Sequence, residues 1–372
     1  SSSSSSSSWS PAPCATWLPL TDYITFDASS KSITDYSDCW PKNITIPSTI
    51  SWVAVKYIWR DAFLSNDLHS VILPNSIEII WNQAFRWNLL TSVTIPNSVT
   101  TISDWAFSYN QLKSLTLWSW VQTLWFRSFY SNLLEWVNIP WNVKNIWNSA
   151  FSSAFSNDTT KNKIIIWSWV ENIWELAFYA HRQQLEWNIS IPGSVKIIWE
   201  NAFRGQWITN LTLWNGIQEI WDYAFSTNKI SSIHFPSSLT KIWRDSFSNN
   251  ELTSLTIPDS ITSIWISAFK VNKLTSISIG AGLSSIDDYV FQVNELTSIN
   301  IPPNIQRIWD QAFHSNKLSS LSLSTNVLEV GRSAFTWYIN WWWYQLTDMS
   351  KVSVSCSTSL GSSAFASTPT CY

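Results

Sequence analysis

Phenylalanine recurs in this chain every 22 residues. Phe63, Phe85, Phe107, Phe129 and Phe151 are each 22 apart, and so are Phe203, Phe225, Phe247, Phe269, Phe291, Phe313 and Phe335. Phe178 falls between the two blocks, with insertions of 5 and 3 residues in the loops after Phe151 and Phe178. A last unit closes at Phe365. Such a period means a repeat architecture, in which no unit buries its own apolar face and each does so by stacking on its neighbours. The 372 residues therefore read as one long array and not as two or three globular domains.

Counting forward from each Phe shows the inside of the coil. The third residue is Asn in Asn66, Asn88, Asn110, Asn132, Asn228, Asn250, Asn272, Asn294 and Asn316. Aliphatics follow at positions 5, 8 and 10, as in Leu252, Leu255 and Ile257. Position 11 is usually Pro (Pro74, Pro96, Pro140, Pro236, Pro258, Pro302). Ile261 and Ile264 illustrate further aliphatics at positions 14 and 17, and Ala-Phe closes the unit. Apolar positions 8 and 10 alternate with polar 7 and 9, the period of a half-buried strand. Proline ends that strand because it has no N–H for a ladder. The pattern predicts fourteen strands, from Ile44–Ile46 to Val352–Val354. At about 4.8 Å per stacked strand they form a rod or arc on the order of 60–70 Å long. Asn at position 3 suits a buried amide ladder that satisfies backbone groups of the turns.

The pattern L-x-x-L-x-L-P-x-x-(V/I)-x-x-I-x-x-x-A-F resembles the BspA-like leucine-rich repeats of bacterial surface proteins, over roughly residues 41–365. It departs from them at position 3, where that family often has Cys and this chain has Asn. The resemblance implies a leucine-rich-repeat solenoid of about fourteen coils of 22 residues. A parallel β-sheet would form one face, with turns and short irregular or 3₁₀ segments on the other. It also implies an extracellular or cell-surface protein that attaches to a protein or glycan on another cell or matrix. The expected division is a Ser-rich linker over 1–13, an N-terminal cap over 14–40, the repeat array over 41–335, and a loop, last coil and cap over 336–372.

The chain has 29 Trp against 7 Gly, although turn-rich chains need glycine. Four residues before Phe stand Trp59, Trp81, Trp125, Trp147, Trp174, Trp199, Trp221, Trp243, Trp265 and Trp309. The same place holds Gly331, Gly361, Ser103 and Asp287 in other coils. Gly, Ser and Asp share turn chemistry, and Gly and Asp tolerate φ > 0. Trp shares neither property. After the strand, Trp118-Ser119-Trp120 and Trp167-Ser168-Trp169 fill the slot that reads Trp214-Asn215-Gly216 and Gly280-Ala281-Gly282 elsewhere. The codon UGA is glycine in some bacterial lineages and tryptophan under another code. We read most of these tryptophans as glycines of the native protein; the alternative is an indole ladder able to stack on sugar rings.

Ser1–Ser8 with Trp9 and Ser10 reads as a flexible tether. The chain begins in that tract and not in an initiator Met, so it reads as a processed protein or a piece of a longer one. The four Cys fall as one pair near each end, Cys14 with Cys39 and Cys356 with Cys371. Solenoid ends expose apolar faces and need caps, so disulfide-stapled caps in an oxidising compartment are expected. Local pairing is one of three connectivities.

The formal net charge of −3, with Lys and Arg scattered singly, gives no footprint for nucleic acid or an anionic membrane. No apolar run is long enough to span a bilayer. His69, His181, His234 and His314 occupy different repeat positions and cannot converge on one site. No phosphate-loop, zinc-protease or nucleophile-elbow motif occurs. Asp287-Asp288 reads as a polar turn, and Glu78, Glu219 and Glu329 as solvated charges. The expectation is a monomeric array with no enzymatic activity, no cofactor and no metal.

One surface is regular. Positions 7 and 9 point outward from the strands: Ser92 and Thr94, Ser114 and Thr116, Ser232 and His234, Ser254 and Thr256, Ser276 and Ser278, Ser298 and Asn300, Ser320 and Ser322. These are the candidate binding residues. Two other functions are alternatives. One is a spacer in a larger surface protein. The other is a flat hydroxyl array that orders ice, against which the breaks at Ile72, Asn138 and His234 count.

Overall fold

The computed structural model describes residues 19–37, 41–117, 120–155, 163–180, 187–339, 342–344, 353–354, 359–360 and 370–371. It is a parallel β-solenoid of about 13 turns of roughly 22 residues. Among the described residues the only helix is the 3₁₀ turn Leu20–Asp22.

Strands form where the alternation places them, at Ser92–Ile95, Ser114–Leu117, Trp136–Ile139, Lys163–Ile166, Ser254–Ile257 and Ser276–Ile279. Like positions pair in register, as Leu115 with Val93 and Ile277 with Leu255. Position 10 faces the core throughout: Ile95, Ile139, Ile257 and Ile301 are buried. The stack runs on past both insertions. Trp136–Ile139 pairs with Lys163–Ile166 across the first, and Ile173 pairs with Ile198 across the second. The inserted residues, in 156–162 and 181–186, lie outside the described residues. So do the Ser tract, Cys14, Cys39 and Cys356, and of Cys371 only the backbone is described.

The expected single sheet needs two corrections. The strand face is not continuous: its strands hydrogen-bond in separate pairs, and residues 231–236, which include Ser232 and His234, form no strand. The longest sheet among the described residues lies instead on the side expected to hold turns and short irregular or 3₁₀ segments. There, two-residue strands such as Ile79–Ile80, Thr101–Ile102, Glu219–Ile220 and Lys241–Ile242 join a 12-stranded sheet. It begins at an antiparallel hairpin, Ile24–Asp27 with Ser32–Tyr36. Two residues are too few for alternation to show, so this ladder left no period-2 signal.

A third set of backbone bonds runs through the turns. The N–H of Phe85 donates to the carbonyl of Ala106 at 2.8 Å, and that of Phe247 to Ala268 at 2.9 Å. Residues two before and two after each Phe also donate to the next coil, as Leu176 does to Glu200 and Val271 to Gln292. They do so from the left-handed region, with φ of 57° at Leu176 and 54° at Val271. That conformation is uncommon for such residues; here the coil-to-coil bonds hold it.

The Phe rings form one buried column from Phe63 to Phe335. Neighbouring rings are stacked, from 4.9 Å between Phe63 and Phe85 to 5.9 Å between Phe269 and Phe291. Tyr36 of the hairpin continues the column at 5.2 Å from Phe63. Each stacked pair contributes about 0.5–1.5 kcal/mol beyond its area burial. Beside the rings runs the Asn ladder. Asn110 donates to the carbonyls of Phe85 at 2.9 Å and Phe107 at 3.1 Å, and its Oδ1 accepts the N–H of Leu90 at 3.2 Å.

Candidate binding face

Because positions 8 and 10 are anchored in the core, positions 7 and 9 must project from the opposite side of each strand. Ser92, Thr94, Ser254, Thr256, Ser276, Ser278, Ser298 and Asn300 are exposed, as are Ser232 and His234 in the coil without a strand. Ser114 and Thr116 are half-buried. Ser320 and Ser322 lie on the strand Ser320–Ser322; their side chains fall outside the described residues.

The structure brings these residues into register along the solenoid. Ser92 pairs with Ser114 and Thr94 with Thr116. Ser254 pairs with Ser276 and Thr256 with Ser278, while Ser298 pairs with Ser320 and Asn300 with Ser322. Between the pairs are seams, and depressions open across them. One of about 510 Å³ lies between Ser70–Leu73 and the strand that carries Ser92 and Thr94. One of about 350 Å³ spans Ile165, Asn188, Ser190, Asn210 and Thr212. Another of about 550 Å³ lies between Thr212 and His234. The face is therefore hydroxyl-rich but not flat, which weighs against an ice-ordering lattice.

Sequence reasoning missed the face residues of the coils beside the insertions. Asn188 and Ser190, and Asn210 and Thr212, occupy the same outward positions and are exposed. Asn210 and Thr212 follow Phe203 by 7 and 9 residues and were open to the forward count, whereas Asn188 and Ser190 needed a count back from Phe203 in place of forward from Phe178.

Charged pairs border the face. Just before the strands, Glu251 is bridged by Lys229 at 2.8 Å and Lys273 at 2.9 Å, and Lys317 meets Glu295 at 3.0 Å. The two lysines hold the Glu251 carboxyl below its ordinary range. The described histidines do not converge: His69 and His234 are exposed in different coils, and His314 is buried, which lowers its pKa, while His181 lies outside the described residues. Among the described residues no group of three or more His, Cys, Asp or Glu is placed to hold a metal ion. No helix among them is long and apolar enough to cross a membrane.

Stacked parallel strands closed by a buried Asn ladder and a Phe column define a leucine-rich-repeat solenoid. The BspA-type leucine-rich repeat matches this chain over residues 29–154, 129–252 and 218–342. The chain belongs to that family of bacterial surface proteins. A leucine-rich repeat protein from Bacteroides ovatus is 18% identical, with 92% of this chain and 94% of that chain covered and a TM-score of 0.54. The pneumococcal vaccine antigen PcpA is 20% identical, with 89% and 82% covered and a TM-score of 0.47. For a leucine-rich repeat protein from Eubacterium ventriosum the values are 18%, 90%, 87% and 0.41. At these identities the first likeness shows a shared fold. Among curated proteins none matches.

Proposed function

We propose that this chain is an extracellular binding or adhesion module that attaches to a protein or glycan on another cell or matrix through its strand face. The supporting observation is the in-register, exposed pairing of Ser254 with Ser276 and Thr256 with Ser278, and its counterpart at Ser92 and Thr94. Repeat solenoids commonly bind through such extended surfaces. Uncharged hydroxyls and amides favour a partner recognised by many weak hydrogen bonds. In this reading the array over 41–335 binds as a monomer, the Ser tract is its tether, and caps stapled by Cys14–Cys39 and Cys356–Cys371 close its ends.

The test is attachment of the purified array to cell-surface extracts. Ser254→Glu, Ser276→Lys and Ser298→Glu together place bulky charge on three adjacent coils. Alternating the signs avoids like charges in neighbouring coils, as Lys229, Glu251 and Lys273 do naturally. The comparison is Thr262→Glu, Ser284→Lys and Gln306→Glu, at exposed residues beside the two-residue strands. Loss of attachment in the first triple alone supports the strand face. Undiminished attachment in both would favour the spacer reading, with the binding element elsewhere.

A further inference from the structure

Every glycine among the described residues stands where the neighbouring coil leaves no room for a side chain. A Cβ on Gly331 would lie 2.5 Å from the carbonyl carbon of Trp309. One on Gly205 would lie 2.3 Å from the carbonyl oxygen of Ala180, and one on Gly280 would lie 2.6 Å from that of Ile257. The same holds at Gly193, Gly216 and Gly282. These are close backbone approaches, which glycine makes without moving its neighbour.

Each of those repeat positions carries tryptophan in another coil. Gly331 shares its place four before Phe with Trp81 and Trp243. Gly205 follows Phe203 by two residues, as Trp87 follows Phe85. Gly280 corresponds to Trp214, Gly282 and Gly216 to Trp169, and Gly193 to Trp141. No glycine position of the repeat is free of this exchange.

The backbone performs the same task whichever residue is present. The N–H of Trp81 donates to Ile58 at 2.9 Å, Ser103 to Ile80 at 2.9 Å, Trp243 to Ile220 at 2.8 Å and Gly331 to Ile308 at 2.6 Å. Trp87 and Gly205 are both left-handed, with φ of 58° and 73°. Four before Phe, none of the tryptophans is left-handed. The sequence argument from φ > 0 is therefore corrected there to one from close approach.

The indoles are unevenly served: those of Trp221 and Trp243 each donate to Glu219 at 3.2 Å, but others have no such partner. The Nε1 atoms of Trp81, Trp174 and Trp199 are buried with no hydrogen-bond partner, whereas buried indole N–H groups ordinarily find one. Trp52 is left-handed and 98% exposed. Most of the rings from Trp125 to Trp265 do stack, at 4.1 Å between Trp243 and Trp265, although Trp199 and Trp221 are tilted. Any flat ring repeated at one place in every coil meets its neighbour at this spacing, as the Phe column shows.

We infer that the cell which makes this protein places glycine at these positions, reading UGA as glycine. The native array then has no indole platform for stacking on sugar rings. Recognition falls on the hydroxyls and amides of the strand face, and the solenoid closes as tightly along its length as it does at Gly331. This inference concerns the chain itself and stands whether or not the array is an adhesin.

Two measurements test it. Peptide masses of the chain isolated from its own cells should carry glycine at positions 81, 243 and 309; tryptophan masses there overturn the inference. Separately, the chain as written and a form with Trp→Gly at all the positions four before Phe are made in a host with the standard code. Far-ultraviolet circular dichroism follows their thermal unfolding. The glycine form should unfold at the higher temperature, in one cooperative step. A glycine form that unfolds earlier, or fails to fold, overturns the inference.

Discussion

The side-chain amide of Asn272 donates to the carbonyl oxygen of Phe247, 25 residues earlier, at 3.0 Å. It also donates to Phe269 at 3.1 Å, while its Oδ1 accepts the N–H of Leu252 at 3.1 Å. One side chain thus satisfies three backbone groups in two coils. Asn272→Ala should destabilise the array by about 1–3 kcal/mol, because it leaves buried groups unpaired. Asn272→Asp should be no better, since a carboxylate keeps the acceptor but faces two carbonyls. Urea unfolding of both variants checks this.

Phe247 lies between Phe225 at 5.4 Å and Phe269 at 5.6 Å. Phe247→Ala should cost about 3–5 kcal/mol, the range for emptying such a core site. In a stack held by nearest-neighbour interfaces the loss should be local. Hydrogen exchange should speed up first in the coils of Phe225 and Phe269, with coils near Phe85 unaffected.

His314 titrates below its ordinary value because it is buried, with Nδ1 2.8 Å from the Ser315 hydroxyl. The unfolded chain therefore takes up the proton first as pH falls. The contribution is fully present above the ordinary value of 6.5 and is lost as pH drops through it towards the folded value. The melting temperature should fall between about pH 7 and 5, and His314→Gln should flatten that decline.

Glu251 works at lower pH. Hydrogen bonds from Lys229 and then Lys273 depress its pKa from 4.5, so its contribution is present above that value and is lost as pH falls through the lowered one. Its side chain is 33% exposed. Glu251→Gln should therefore change stability by only about 0–1 kcal/mol at pH 7, and less in high salt. Chemical unfolding at two salt concentrations measures it.

On the proposed binding face, single changes should hardly register. Ser276→Ala removes at most a net hydrogen bond of about 0.5–1.5 kcal/mol to a partner, against binding spread over many coils. A large loss of attachment from Ser276→Ala alone would contradict distributed binding.

Much of this architecture is legible in one sequence because a solenoid writes every contact repeatedly. Phe stacks on Phe and Asn stitches coil to coil, so each column appears as a residue recurring at a fixed interval. The polar residues at Ser254, Thr256, Ser276 and Ser278 were readable as an outward face for the same reason: their apolar partners in the strand could point only inward.

Other features have no such trace. The residues two from each Phe that adopt the left-handed conformation include Asp61, Gln83, Leu176, Val271 and Val293, which share no propensity. The two-residue strands at Ile79–Ile80 and Glu219–Ile220 are too short for alternation. Nor does Ser232 differ in kind from Ser254, although residues 231–236 form no strand and Ser254 pairs with Ser276. The sequence by itself determined the period, the core columns and the outward hydroxyls, because those depend on which side chains recur. Only the tertiary structure decided the left-handed turns, the long second ladder and the seams in the strand face. Those depend on backbone bonds to a neighbouring coil, which almost any side chain permits and none announces.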